Sequence, residues 1–231
     1  MAIILSIETA TKACSVAISQ NNKILSVVEN IGDGYSHAEN LSVFIEKSLT
    51  ETDLKYADID AVAISKGPGS YTGLRIGTST AKGLCFALDI PLISVSTLQA
   101  MAIGGKKEFN YQSSTLFCPM IDARRMEVYS AFFNSTTDFI RETQADIIDE
   151  NSYLTYLSKS EVVFFGDGAE KCKETLSVHD NAHFIDGFHP SAQYMVGIAC
   201  DKFTSKQFED TAYFEPYYLK DFVAGKPKKL I

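Results

Sequence analysis

The chain opens on an apolar run rich in β-branched residues, Ala2 to Glu8 (AIILSIE), followed by a polar turn at Thr9 to Lys12 and an alternating run, Cys14 to Ser19 (CSVAIS). Gln20 to Lys23 make a second polar turn before the apolar stretch Ile24 to Val28. Short apolar or alternating runs bounded by turn residues read as strands, so three consecutive antiparallel strands are predicted. The period then changes. Ser36 and Glu39 have capping-box spacing, and Leu41, Phe44, Ile45 and Leu49 fall on one face of the helix that would start there. Asp60 to Ser65 (DAVAIS) reads as a buried strand leading through the loop 66–71 into a helix that ends near Leu88. Pro91 to Val95 is the next strand, followed by a short helix to about Ile103. Three antiparallel strands and then βαβ units predict a mixed sheet with helical cover, not a plain doubly wound sheet.

Gly104, Gly105, Lys106 and Lys107 interrupt this pattern, and the polar stretch through Ser114 has no apolar period. A boundary is therefore placed there, with an N-terminal lobe over 1–105 and a C-terminal lobe over 106–231, whose last segment is a candidate to pack back on the first lobe. A length of 231 residues suits one large domain or two lobes. The second lobe reads as α/β again. Strands are predicted over Thr115–Ile121, Met126–Phe133 and Glu161–Phe165, and helices near Asn151–Leu157, Glu170–Leu176 and Ser191–Phe203. No close repeat is visible. Phe208, Tyr213, Phe214, Tyr217, Tyr218 and Phe222 read as core or interface, because no basic residues interleave them as in a base-stacking platform.

Charge narrows the function classes. Lys plus Arg total 21 against 29 Asp plus Glu, a net charge of −8, and the arginines are only Arg75, Arg124, Arg125 and Arg141. Phosphate binding draws on clustered cations, so autonomous binding of nucleic acid, any RNA included, is not expected. Lys226, Lys228 and Lys229 read as a solvated tail. No window approaches the roughly 18 apolar residues of a membrane span, and the start lacks the basic and apolar regions of a secretory signal. No membrane association and a cytoplasmic location are expected. Five cysteines, an odd number without CxxC spacing, predict reduced and mostly buried thiols.

The segment Lys66 to Arg75, KGPGSYTGLR, lies between a strand and a helix, where glycines admit close backbone approach and helix amides can face an anion. It is neither a P-loop nor a dinucleotide fingerprint: Thr72 or Leu74 stands where the second P-loop glycine belongs, and the spacing is GxGxxxG. A phosphate cradle and a plain packing turn both remain open. Glu8 and Thr9 end the first strand where an actin- or hexokinase-type fold would place an acid and a hydroxyl near phosphate, although a carboxylate solvated in a turn is the commoner case. With Gly67, Gly69, Ser70, Thr72 and Gly73 they form the candidate nucleotide-binding set. Gly77 and Gly83, inside the following helix, imply close approach of either the chain's own sheet or a partner helix. His37 is expected to face solvent. His179 and His183 have HxxxH spacing but polar, loop-like flanks, so no metal site is expected.

Several ordered segments together resemble one family. LSIETAxxxxSVAI, SHAENL, GPGSYTGLRIG, PLISVSTLQAMA, CPMIDARRMEVYSAFF and GDGAE, with a weaker echo in YLKD at 218–221, are similar to the bacterial TsaB (YeaZ) family of tRNA threonylcarbamoyladenosine (t6A) biosynthesis. The resemblance implies an α/β, two-lobed actin-like and hexokinase-like (ASKHA, ribonuclease H-like) fold with mixed sheets. It also implies a non-catalytic scaffold that activates a TsaD-like transferase acting on adenosine 37 of tRNAs reading codons that start with A, with a TsaE-like ATPase completing the complex. In the catalytic relatives two metal-binding histidines stand where this chain has Thr97 and Met101, so neither a metal nor a catalytic residue is expected. No cofactor is implied beyond weak or interface-dependent ATP or ADP. The helices 36–50 and 72–88 would form the partner surface, and a homodimer surface in isolation, with Leu41, Phe44, Ile45, Leu74, Arg75, Gly77, Thr78 and Ala81 as candidates; Leu41, Phe44, Ile45, Leu74 and Ile76 share their faces with the lobe's own core. The alternative is a small-molecule kinase of the same superfamily, using the Glu8/Thr9 turn, the Gly67–Gly73 loop and a carboxylate in Gly166–Gly168.

Overall fold

The computed structural model describes residues 2–32 and 37–220, so Ser36 of the capping box, Asp221, Phe222 and the lysines at 226, 228 and 229 lie outside the described residues. The opening meander is present as β1 (Ile3–Glu8), β2 (Ala13–Gln20) and β3 (Lys23–Ile31), all antiparallel. After α1 (His37–Thr52) come β4 (Ala61–Ser65), α2 (Tyr71–Leu88) and β5 (Leu92–Val95), in the order β3-β2-β1-β4-β5 with β1, β4 and β5 parallel. Strands β1, β2 and β4 are almost wholly apolar or small because both faces of the sheet are covered. One face packs on α1 and α2 through Leu41, Ile45, Leu49, Ala81 and Cys85. On the other, Ile4, Ala61, Ala63, Ile93 and Val95 meet Met195 and Ala199, the latter in α6 (Val196–Thr204).

The interruption expected at Gly104–Lys107 is instead the last part of a continuous helix, α3 (Thr97–Glu108). The two glycines are packing devices. A Cβ at Gly104 would lie 2.6 Å from the Tyr194 ring, and one at Gly105 2.5 Å from the Phe165 ring. Helix α3 thereby packs on the second sheet, its Leu98, Met101 and Ala102 joining Phe117, Ile121 and Phe165.

That sheet comprises β6 (Leu116–Asp122), β7 (Glu127–Phe133), β8 (Phe139–Ile147), β9 (Val162–Phe165) and β10 (Ala182–Ile185), in the order β10-β9-β6-β7-β8. Its first three strands are antiparallel, and β6, β9 and β10 are parallel. Each strand occupies the place and direction of its counterpart in the first sheet, so the two lobes of this α/β molecule share one topology. Helices α4 (Leu154–Leu157) and α5 (Ala169–Leu176) complete the second lobe. The helix expected over Ser191–Phe203 begins as a 3-10 turn, Ala192–Met195, before α6. The segment beyond α6 lies on the first sheet: Glu209 N donates to the Leu92 carbonyl at 2.9 Å, Tyr217 N donates to that of Lys66 at 2.7 Å, and Phe214 joins the first core. Of the cysteines, all free, four are buried and Cys200 is half-buried.

Candidate functional site

The end of β1, the glycine loop and the start of α2 close on one another. The Thr9 hydroxyl donates to the Gly73 carbonyl at 2.9 Å, and the Ser70 amide donates to the Ala10 carbonyl at 2.6 Å. Ser70 caps α2 by accepting from the Gly73 amide at 3.3 Å, and the Gly67 amide donates to the Thr97 hydroxyl at 3.1 Å. Glycine is required here by contact. A Cβ at Gly69 would strike the Ala10 carbonyl, and one at Gly73 the Thr9 carbonyl. Of the candidate nucleotide set, Thr72 is exposed, while Glu8, Thr9, Gly67 and Gly73 are buried.

Glu8 is not solvated in a turn; it is fully buried. Its Oε1 accepts from the Ala10 amide at 2.7 Å and the Ser65 hydroxyl at 2.8 Å, while Oε2 has no partner. Burial pushes the carboxyl up to about 7 against the opposing pull of those two bonds. His37 is likewise buried, not solvent-facing: its Nε2 lies 2.7 Å from the Thr11 carbonyl, which anchors the start of α1 to the β1–β2 turn. Burial lowers its pKa. Neither environment has a local signature, because Ser65 and Thr11 are remote in sequence from the groups they contact.

The expected partner residues divide by depth. Leu41, Ile45, Leu74, Gly77, Thr78 and Ala81 are buried within the lobe, Phe44 is half-buried, and Arg75 is exposed. Gly77 serves the chain's own sheet, since a Cβ there would strike Thr9 Oγ1 and approach Ile64 Cδ1 at 3.0 Å. Gly83 faces open space. The outward stripe of α2 runs through Thr72, Arg75, Ser79, Gly83 and Phe86, with Phe86 88% exposed, and on α1 Val43 is 58% exposed. Phe86 and Val43 escaped the sequence reading; the available signal was a large apolar residue off the core-facing period. The Arg75 guanidinium sits 4.3 Å from the centre of the Tyr71 ring, which packs on Tyr218.

In the second lobe the Asp167 carboxylate, which the kinase alternative needs, accepts from the Asp122 amide at 3.1 Å. Burial raises its pKa. His179 Nε2 lies 2.9 Å from the Glu150 carbonyl, and His183 Nε2 lies 3.7 Å from Glu161 Oε1.

The family described as "TsaD: tRNA N6-adenosine threonylcarbamoyltransferase" matches residues 34–227. Across 96% of both chains, this chain is 34% identical to the tRNA threonylcarbamoyladenosine biosynthesis protein TsaB of Escherichia coli (strain K12). The chain belongs to the TsaB family. The TsaB protein of Haemophilus influenzae is 28% identical over 96% of this chain and 95% of its own. The solved YeaZ structure from Pseudomonas aeruginosa shares the fold at a TM-score of 0.79, with 24% identity over 95% of this chain and all of that one. In this TsaB-family chain Thr97 and Met101 are both fully buried, Thr97 as the acceptor for Gly67 and Met101 in the second core. Among the described residues no helix is long and apolar enough to cross a membrane.

Proposed function

We propose that the chain is a non-catalytic subunit in t6A formation, a scaffold that activates a TsaD-like transferase modifying adenosine 37 of tRNAs that read codons starting with A. A TsaE-like ATPase joins through the complex, ATP or ADP binds weakly or only at the partner interface, and the isolated chain can pair with itself. The pathway follows the names of its full-length TsaB relatives. The observation that carries the non-catalytic part is the closure of the glycine loop on the β1 turn. The amides of Gly67, Ser70 and Gly73 donate to Thr97, Ala10 and Ser70, and Thr9 donates to Gly73, so these donors face inward instead of towards a phosphate. The same closure disfavours the kinase alternative. The outer stripes of α1 and α2, with Val43, Arg75, Gly83 and Phe86 outward, supply the partner surface, backed by Leu41, Ile45, Leu74 and Ala81 as core.

Co-purification with the TsaD-like protein of the same cell, followed by light scattering, tests this reading. A defined heterocomplex is expected, lost in Gly83→Arg with Phe86→Asp while the variant's melting temperature stays near wild type. Gly77 is unsuitable for this purpose because its side chain would enter the lobe. Transfer of threonylcarbamoyl by the chain alone, or no complex with the wild-type chain, would overturn it.

A further inference from the structure

Strands β6 and β7 are joined by a turn whose backbone breaks a local rule. Arg124 and Arg125 have φ of 71° and 52°, in the left-handed region that side chains other than Asn, Asp and Gly rarely adopt. The other consecutive left-handed pair among the described residues, in the β2–β3 turn, is Asn21–Asn22, the residue type suited to that backbone. The arginine turn is held by main-chain bonds from Ala123 N to the Glu127 carbonyl at 3.0 Å and from Glu127 N to the Arg124 carbonyl at 3.2 Å, while Asp122 Oδ1 accepts from Arg124 N at 2.9 Å. Strain kept where a milder residue would serve points to a use for the side chains.

Both side chains are exposed, and neither guanidinium has an ion-pair partner among the described residues. The adjacent carboxylates of Asp122 and Glu127 are already paired with Lys171 and Lys220. Among the described residues, Lys171 and Lys220 thus pair with both carboxylates that flank the turn, which leaves the two guanidiniums without an ion pair on a chain of net charge −8. The tip is a convex hairpin, so it suits an extended polyanion better than a small ligand. Guanidinium forks match phosphate oxygens bidentately.

We infer that the Arg124–Arg125 turn is a docking point for the phosphodiester backbone of an RNA. The choice of RNA rests on the reading of the chain as a subunit in tRNA modification. The net negative charge makes the contact weak alone and useful only when a partner supplies most of the affinity.

The test compares the wild-type chain with Arg124→Asn/Arg125→Gly and with Arg124→Lys/Arg125→Lys, each alone and with the TsaD-like protein of the same cell. In the complex, affinity for that cell's tRNA is measured against salt concentration. The Asn/Gly variant should bind tRNA about tenfold more weakly at low salt, and the slope of log affinity on log salt should drop by about two, one per lost phosphate contact. The Lys/Lys variant should retain most of the slope. Relief of backbone strain should raise the melting temperature of the Asn/Gly variant, which separates a binding defect from misfolding. In the chain alone, the side-chain N–H signals of Arg124 and Arg125 should shift when tRNA is added at low salt. If no complex forms, the scaffold reading fails, and the signals of the chain alone still decide this one. Unchanged affinity, slope and signals would overturn the proposal. So would loss of the protein complex itself in the Asn/Gly variant together with wild-type arginine signals that tRNA leaves unshifted, which would assign the turn to an acidic protein surface instead.

Discussion

The hydroxyl of Thr9 donates to the main-chain carbonyl of Gly73 across 2.9 Å, joining the end of β1 to the first turn of α2. Both groups are buried, so the bond has no water to replace it. Thr9→Val keeps the shape and removes the donor, and should destabilise the chain by about 1–2 kcal/mol, whereas Thr9→Ser should lose less. Urea midpoints of the two variants check this, and a loss in Thr9→Ser with none in Thr9→Val would show that the methyl group, not the hydroxyl, matters.

Two glycines on one helix should respond to alanine with opposite signs. At Gly77 the new methyl group would strike Thr9 Oγ1 and press on Ile64, an overpacking that costs about 1–3 kcal/mol. At Gly83 no atom lies within 4 Å, so alanine adds only helix propensity, a gain approaching about 1 kcal/mol. Thermal melts of Gly77→Ala and Gly83→Ala are expected to move in opposite directions. A rise for both would mean that the close approach of α2 to β1 is not held in solution.

Burial keeps the Glu8 carboxyl protonated up to about 7, while in the unfolded chain it ionises from about 4.5. Between these values the folded state holds a proton that the unfolded state has released. Glu8 therefore contributes full stability below about pH 4.5 and loses it as pH rises to about 7, by roughly 3 kcal/mol. Glu8→Gln cannot ionise and should show a flatter profile across that window. Unfolding free energies at pH 5 and pH 7.5 decide the matter, and parallel wild-type and variant profiles would contradict a buried, neutral Glu8.

The first lobe was legible because its strands are short apolar runs between polar turns, and because Leu41, Ile45 and Leu49 keep a helical period that the core then uses. Strand β8, Phe139–Ile147, was not legible. It is an edge strand with alternating half-buried and exposed positions, and the polar residues Arg141, Glu142, Gln144 and Asp146 hide its period. Its polar residues are nonetheless structural: Arg141 and Asp146 pair at 2.5 Å, and Tyr153 donates to Asp146 at 2.8 Å. Strand β10 is no shorter than β5 or β9, but it is half-buried throughout and carries His183, so it lacks the continuous apolar run that marked those two. At the candidate site the glycine loop was visible but its orientation was not, since a loop that turns its amides inward has the same sequence pattern as one that presents them to an anion. The shared topology of the lobes was invisible for a related reason: strand order repeats while the residues do not.

The covering of the first sheet has a consequence for how the chain comes to be made. The apolar face formed by Ile4, Ala61, Ala63, Ile93 and Val95 is closed by Met195 and by Ala199 of α6, which follow all five strands of the second sheet in the chain. On the ribosome that face must wait, with Ala100 of α3 against it but Met195 and α6 still missing, while the rest of the second lobe is synthesised. The second lobe, whose sheet and helices α3, α4 and α5 form one uninterrupted stretch, can close upon itself in the meantime. The lobe that begins first is thus the one completed last, and its exposed strands are where a nascent chain of this kind would most need a chaperone.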